Sequence, residues 1–155
     1  MKVRFIGIIT LTLLATGLSF GQQLPNAIKH YLDKSYRGWK LSPSRKDCNA
    51  DVNLGFVTGD FNGDANRDYA VKFSSGQKGY ILAFLKLRNG FKPFVLHIYT
   101  ADEARTSTLS VWKKGSIFEY NNKKLRLRHD APSDYFCESD DGGIHYYRNG
   151  KFVGY

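Results

Sequence analysis

The chain has 155 residues and a formal net charge of +9, with 23 Lys and Arg against 14 Asp and Glu. This cationic excess predicts attraction to acidic surfaces such as glycans, cell-wall polymers, lipid head groups or nucleic acid, and charge alone does not choose among them. After the N-terminus no apolar run is long enough to cross a membrane, which excludes stable membrane insertion of the remainder.

The N-terminus is typical of a secretory signal peptide. Lys2 and Arg4 precede an almost wholly apolar run over residues 5–20, and small residues stand before a cut after Gly21. The run has about 16 residues, short of the roughly 20 that a membrane-spanning helix needs. No cysteine lies near the cut, so lipid attachment is not expected there. We therefore expect residues 1–21 to be removed and the rest to be secreted or periplasmic.

The remaining residues, 22–155, are predicted to form a single globular domain. They contain both cysteines of the chain, Cys48 and Cys137. In an exported protein an isolated pair indicates a disulfide, and two free buried thiols are the alternative. Closing a loop of about 90 residues would stabilise the fold by at most roughly 4–5 kcal/mol in the chain-entropy model.

The first element of this domain is predicted to be an amphipathic helix over residues 25–36. Apolar side chains recur there at helical spacing: Leu24, Ile28, Tyr31 and Leu32. Pro25 suits the first turn of a helix, and Gly38 suits the position just past its end. The apolar face of this helix should pack on another element.

Everything after this helix is predicted to be short strands. Residues 52–56 alternate between apolar and polar, and residues 80–87 form an apolar run that suits a buried central strand. Asn-Gly pairs at 89–90 and 149–150 are strong hairpin signals, because both residue types tolerate positive φ. Asn121-Asn122 is predicted to turn a third hairpin. The predicted fold is α+β but mainly β, with the helix packed on an antiparallel meander of about seven to nine strands.

The stretch GDFNGDANRDYAV, residues 59–71, concentrates oxygen-bearing side chains in an otherwise basic chain. Positions 1, 3, 5 and 9 of this loop are held by Asp60, Asn62, Asp64 and Asp68. Asn66, at position 7, would offer its backbone carbonyl. Calcium takes six to eight oxygen ligands of these types. Three carboxylates held this close repel one another, so the loop needs a cation or strong screening to order fully, and the spacing predicts a calcium site.

This stretch resembles the core of an FG-GAP or VCBS-type repeat, whose usual form is close to G-D-F-N-G-D-G-x-x-D-[LY]-A-V. In that family the loop joins two strands and binds calcium, and the resemblance implies the same five residues as ligands. The family usually has Gly at the sixth loop position, where Ala65 stands here. A methyl group in a left-handed conformation costs on the order of 1 kcal/mol, which predicts a weaker site or a different turn. The role expected for the ion is structural.

Two other interpretations of this loop stay open. An EF-hand or dockerin-like loop would lead into a helix and carry an acidic residue at position 12, where Val71 stands in a predicted strand. An Asx-rich turn without a metal would be stabilised by hydrogen bonds between side chains and backbone.

A second group of candidate residues lies in KKLRLRH, residues 123–129. Lys124, Arg126 and Arg128 fall on one face of a predicted strand. This cationic stripe either binds a polyanion or is simply a solvated face. Aromatic residues around the last hairpin are likewise either core or a stacking platform for sugars.

No catalytic or phosphate-binding motif is present. The four histidines, His30, His97, His129 and His145, lie far apart, and no C-x-x-C pair occurs, which argues against a zinc site. We therefore expect a non-catalytic domain with one calcium loop, binding a protein or an acidic glycan in preference to nucleic acid. The alternative is a hydrolase of cell-wall or glycan material that uses Glu119 and Glu138.

Overall fold

The computed structural model describes residues 23–43, 54–137, 139 and 142–155. The predicted signal peptide lies outside this part of the chain. The described residues form two helices, α1 (Asn26–Ser35) and α2 (Ala101–Thr106). The strands are β1 (Lys40–Leu41), β2 (Phe56–Gly59), β3 (Asp68–Ser75), β4 (Lys78–Leu87), β5 (Gly90–Thr100), β6 (Ser107–Trp112), β7 (Ile117–Tyr120), β8 (Lys123–Arg126), β9 (Ala131–Phe136), β10 (Gly142–Arg148) and β11 (Lys151–Gly154).

The described strands form three antiparallel sheets. The first has five strands in the order β1-β3-β4-β5, with β2 also paired to β3, so that β1 and β2 follow one another along the same edge of β3. The second has four strands in the order β11-β10-β9-β6, and β7 pairs only with β8. The prediction of a mainly β chain is confirmed. The prediction of one meander of about seven to nine strands is wrong, since eleven described strands are divided among three sheets.

This error has a physical cause. The turn signals identify hairpins correctly: Asn121, Asn122 and Asn149 all adopt positive φ between paired strands. The pairing of β6 with β9, by contrast, brings Leu109 opposite Asp134 across the intervening β7–β8 hairpin. Turn residues encode which neighbours in sequence pair, and they carry no information on such distant pairs.

The five-stranded sheet is the middle layer of the molecule. On one face its apolar side chains pack with α1, in a core formed by Leu24, Ile28, Leu32, Phe56, Val71, Phe73, Leu82 and Phe84. On the other face they pack with the four-stranded sheet and α2, in a core that contains Phe61, Ala70, Ile81, Leu85, Tyr99, Ala104 and Leu109. Because side chains alternate along a strand, each of β3 and β4 contributes to both cores.

Helix α2 lies within the region predicted to be only strands, so that prediction is wrong over residues 101–106. The Thr100 side chain accepts a hydrogen bond from the Glu103 backbone, and the Glu103 carboxylate accepts one from the Thr100 N–H, which forms a capping box. The helix packs against β4 at Gly79, where an added Cβ would lie 2.3 Å from the Cβ of Ala104. A residue with a side chain at position 79 would displace α2.

A β-bulge in β5 decides which side chains of this strand face inward. His97 is opposite Ile81 and Val95 is opposite Leu82, which leaves Leu96 as the extra residue. Phe94, before the bulge, and His97, after it, therefore point to the same side of the sheet. That side faces the four-stranded sheet.

Cys137, just after β9, is disulfide-bonded. Cys48, its predicted partner, lies outside the described residues. In the described part of the chain no helix is both long enough and apolar enough to span a bilayer.

Candidate functional site

The acidic loop, residues 60–68, connects β2 to β3 and is organised around the Asp60 carboxylate. Its Oδ1 accepts hydrogen bonds from the backbone N–H groups of Gly63 (2.8 Å) and Asp64 (3.0 Å). Its Oδ2 accepts one from Ala65 (3.0 Å). One side chain therefore closes the turn by binding three successive N–H groups.

The middle of the loop repeats this pattern on a smaller scale. Asn62 Oδ1 accepts the Asp64 N–H at 3.1 Å, and Asp64 Oδ1 accepts the Asn66 N–H at 2.8 Å. The Asn62 amide donates to Asp64 Oδ2 at 3.0 Å. Burial would raise the pKa of Asp64, but the hydrogen bonds from Asn66 and Asn62 outweigh it and lower the pKa. Asp64 is therefore held as an exposed carboxylate.

The third carboxylate of the loop is that of Asp68, at its inner end. It is 0% exposed, and its oxygens accept the backbone N–H groups of Phe61 (2.8 Å) and Lys86 (2.7 Å). Burial raises its pKa to about 6 in spite of these bonds, and the charges of Asp64 and Asp60 add to the effect. The ionised form of Asp68 is thus disfavoured by its surroundings.

Ala65 adopts the left-handed conformation, with φ of 64°. This is the loop position at which the FG-GAP resemblance expects Gly. The backbone makes the sharp turn despite the methyl group, so the turn does not differ at this position, and the other expected outcome, a weaker site, stays a prediction. The cost in free energy should be about 1 kcal/mol.

The acidic loop packs against the segment that joins β8 to β9. The Asp130 N–H donates to the Asp60 carbonyl at 3.0 Å, and Asp130 Oδ2 accepts the Asp60 N–H at 3.3 Å. A Cβ added at Gly63 would lie 3.5 Å from the His129 ring. The acidic loop is therefore in direct contact with His129 and Asp130.

The other side of this segment borders a groove of about 950 Å³, here called the basic groove. Four cationic residues line it: Lys114, Arg126, Arg128 and Arg148. The remaining lining residues are Gly115, Leu125, Leu127, His129, Tyr146, Tyr147 and Asn149, so none of the described lining residues is acidic. The groove combines positive charge with aromatic surface.

Hydrogen bonds and stacking fix the aromatic wall of the basic groove. The His129 ring stacks on Tyr146 with 4.3 Å between centroids and 8° between planes. Its Nδ1 and Nε2 lie 3.0 Å from the carbonyl oxygens of Asp130 and Tyr147, and a ring that is protonated on both nitrogens donates to both. The Arg128 N–H donates to the Tyr146 hydroxyl at 3.2 Å.

The structure divides the predicted cationic stripe. Lys124, Arg126 and Arg128 are all exposed, but only the two arginines line the basic groove. Lys124 lines a neighbouring cavity of about 370 Å³ together with Tyr120 and Tyr155 among others. The groove also contains Lys114, which lies near the stripe in sequence, and Arg148, which lies further along the chain.

The two carboxylates proposed for a hydrolase are not brought together by any described contact. Glu119 is exposed on β7, directly opposite Lys124 of β8. Glu138 lies outside the described residues.

A second set of polar side chains lies between the two larger sheets. The Asp134 side chain, on β9, is only 6% exposed. His145 Nε2 is 2.6 Å from its Oδ1, and His97 Nδ1 is 2.9 Å from its Oδ2. The Tyr99 hydroxyl donates to the same Oδ2. His97, Asp134 and His145 are called the histidine–aspartate cluster below; sequence analysis missed it because its members lie on three different strands.

These contacts define the charge state of Asp134. Burial would raise its pKa, but hydrogen bonds from His145 and Tyr99, with the charges of both histidines, outweigh burial and lower the pKa. The pKa of Tyr99 is raised by burial and by the neighbouring carboxylate. Asp134 is therefore ionised and Tyr99 is a neutral donor.

Lys72 lies in the same layer and is 0% exposed. Its ammonium donates to the carbonyl oxygens of Ala104 (3.1 Å) and Ser107. Burial lowers its pKa to about 8, while the charge of Asp134 opposes this shift. The buried Lys72 ammonium is therefore close enough to the Asp134 carboxylate to feel its charge, while its hydrogen bonds go to backbone carbonyls.

The acidic loop and the histidine–aspartate cluster differ in how closely their ligand atoms converge. Within the described residues, only the cluster brings three His, Cys, Asp or Glu ligand atoms within 4.8 Å of one another. The loop carboxylates stand further apart. Their donors are nevertheless all oxygens, and the unfavourable charge on Asp68 is of the kind that a cation neutralises, so the residues fit calcium by donor type and charge.

Comparison of the chain with models of protein families, with curated proteins and with solved structures found no match. The FG-GAP resemblance of the acidic loop therefore stays a prediction.

Proposed function

We propose that this protein is a secreted or periplasmic, non-catalytic domain that binds an acidic glycan in the basic groove, with a structural calcium ion in the acidic loop. The observation that carries the proposal is the groove: about 950 Å³, four cationic side chains and, in the part of the chain that the structure describes, no acidic lining residue. Asp60, Asn62, Asp64 and Asp68 would supply side-chain ligands to the calcium, and Asn66 its backbone carbonyl.

The lining of the groove favours a carboxylated or sulfated glycan over other macromolecules. Arg126, Arg128 and Arg148 can form charge-assisted hydrogen bonds with carboxylate or sulfate groups. Tyr146 and Tyr147 border the groove too, but Tyr146 is only 6% exposed beneath His129 and Tyr147 packs with Phe94 and Phe152, so the preference depends on the charges. A protein partner is the second candidate, and it would show a weaker dependence on salt because less of its binding would come from these cations.

Calcium and glycan binding are coupled in this proposal through the packing of the loop on residues 127–130. A cation would offset the repulsion among the loop carboxylates and thereby order the loop. The loop holds Asp130 through two backbone contacts and abuts His129 at Gly63. Ordering the loop should therefore order the floor of the groove.

The test is titration with heparin and with polygalacturonate, each with 1 mM calcium or with a chelator, at about 50 and about 200 mM NaCl. Arg126→Ala combined with Arg128→Ala should weaken binding at least about tenfold, since each charged hydrogen bond contributes roughly 1.5–3 kcal/mol. Lys34→Ala, an exposed charge removal on α1, is the matched control and should bind as the parent does.

Equal affinity of the double variant and the parent for both glycans would overturn the assignment of the groove. Affinity that is unchanged between the two salt concentrations would favour a contact that does not depend on the four cations. Glycan binding that is equal with calcium and with chelator would remove the coupling between loop and groove.

A further inference from the structure

We infer that His97, Asp134 and His145 form a binding site for a divalent transition-metal ion of the zinc type. The ligands would be Nδ1 of His97, Nε2 of His145 and a carboxylate oxygen of Asp134. This site is separate from the acidic loop and does not depend on the function proposed above.

The three proposed ligand atoms converge in the fold. Both imidazole nitrogens point at one carboxylate, at 2.9 and 2.6 Å, and all three ligand atoms lie within 4.8 Å of one another. A metal ion with Zn–N and Zn–O bonds of about 2.0–2.2 Å needs its ligand atoms within this range of each other. Small side-chain movements would therefore be enough to place the three atoms around one ion.

The backbone fixes the positions of the three ligands independently of any ion. Asp134 is opposite Gly143 in the β9–β10 pair, so His145, two residues further, lies diagonally on the same face of this sheet. His97 comes from the other sheet and is turned toward the cluster by the bulge at Leu96. Packing of the two sheets sets the distance between them, so the site is formed before any ion binds.

Neighbouring side chains orient two of the three ligands. The His97 ring stacks on Tyr99, with centroids 4.0 Å apart, and the Tyr99 hydroxyl donates to the Asp134 carboxylate. Such partners hold ligating groups in position in metal sites. Lys72 directs its ammonium to Ala104 and Ser107 carbonyls, which leaves the Asp134 oxygens to the histidines and Tyr99.

The donor types select the class of ion. Two imidazole nitrogens with one carboxylate suit zinc and neighbouring transition metals, whereas calcium and magnesium prefer all-oxygen sites. The His97 side chain is 43% exposed, in contrast to 12% for His145. The open side at His97 gives an ion a path from solvent and a position for water as a further ligand.

The experiment is calorimetric titration of the full chain with Zn²⁺, together with the absorption spectrum of the Co²⁺ complex. His97→Ala is the test variant, because His97 is more exposed than either of the other two ligands. His30→Ala, an exposed histidine of α1, is the matched control. Asp134→Asn is a second variant, and thermal unfolding without metal shows whether each variant is folded.

The parent should bind one equivalent of Zn²⁺, and Co²⁺ should give d–d bands of a site with nitrogen and oxygen ligands. His97→Ala should lower Zn²⁺ affinity at least about tenfold, and His30→Ala should leave it unchanged. Excess calcium should not displace the zinc. No binding by the parent, or equal binding by the parent and folded His97→Ala, would overturn the inference.

Discussion

The acidic loop and the histidine–aspartate cluster each bring several ionisable side chains together, but they differ in where these side chains come from in the sequence. The loop takes its carboxylates from nine consecutive residues and satisfies them with backbone N–H groups, which all belong to the loop except the Lys86 N–H bound to Asp68. The cluster takes its members from three strands of two sheets and satisfies Asp134 with side chains. The loop can therefore order with little help from the rest of the fold, whereas the cluster exists only after both sheets have formed and packed.

This difference predicts how each region depends on its surroundings. The exposed loop should respond mainly to ions in solution, because water screens its charges in their absence. The stability of the buried cluster should depend mainly on its side chains, because a charge that loses its partner there is not solvated by water. The four predictions below test this contrast, from the largest expected effect to the smallest.

Replacing the buried aspartate should have the largest effect. Asp134→Ala removes the acceptor of Tyr99 and the anion nearest to Lys72, so the free energy of unfolding should fall by about 3–5 kcal/mol. Asp64→Ala, in the exposed part of the loop, should lower it by no more than about 1 kcal/mol. Urea unfolding at pH 7 with a chelator measures both. Similar losses for the two variants would contradict the contrast between the regions.

The buried lysine should produce a dependence of stability on alkaline pH. Lys72 has a folded-state pKa of about 8 against 10.5 for the unfolded chain, so the unfolded state binds more protons between these values. Stability should therefore rise as the pH increases from about 8 to about 10.5, by a contribution on the order of 3 kcal/mol. Comparison with Lys72→Met isolates this contribution from that of other groups. If the difference between parent and variant stays constant over this range, the charged ammonium is not disfavoured in the fold.

Calcium should stabilise the parent by a smaller amount. An extracellular-type site with a Kd of about 0.1 mM would add roughly 1.4 kcal/mol at about 1 mM calcium. Thermal unfolding after chelation, with and without calcium, measures this shift. Asp60→Ala combined with Asp64→Ala should abolish it, while magnesium should substitute poorly. A calcium shift that persists in the double variant would place the ion elsewhere, and no shift in the parent would make the loop an Asx-rich turn.

The smallest effect should come from the strained turn. Ala65→Gly relieves a left-handed alanine at an exposed position and should raise the free energy of unfolding by about 1 kcal/mol. Ala27→Gly, an exposed alanine inside α1, is the matched control and should lower it by a similar amount. Chemical denaturation of the two variants gives the comparison. Destabilisation by both would mean that the turn at residue 65 carries no strain.

Sequence reasoning reached the parts of the molecule that local chemistry encodes. The acidic loop could be identified because its predicted ligands lie in one short segment. The hairpin turns could be identified because asparagine and glycine adopt positive φ. Helix α2 was missed although its signal was present: Thr100 and Glu103 have the spacing of a capping box.

The histidine–aspartate cluster could not be found in this way. His97 and Asp134 are 37 residues apart, and their meeting depends on a bulge and on the packing of two sheets. Lys72 gave no warning either, because one polar residue in an alternating strand is expected to face solvent. The burial of Asp134 and Lys72 follows from their positions in the fold, which the local sequence pattern does not encode.

The bulge at Leu96 has a second consequence, which concerns neighbouring molecules. Within the described residues β5 is an edge strand, and Val95 and Ile98 on its outer face are 54% and 53% exposed. A flat edge with such side chains would be a template for intermolecular sheet growth. Pro93 lacks an N–H group and the bulge interrupts the ladder three residues later, so a second chain finds no continuous row of partners. The irregularity that turns His97 inward thus also helps to keep the protein from adding strands to itself.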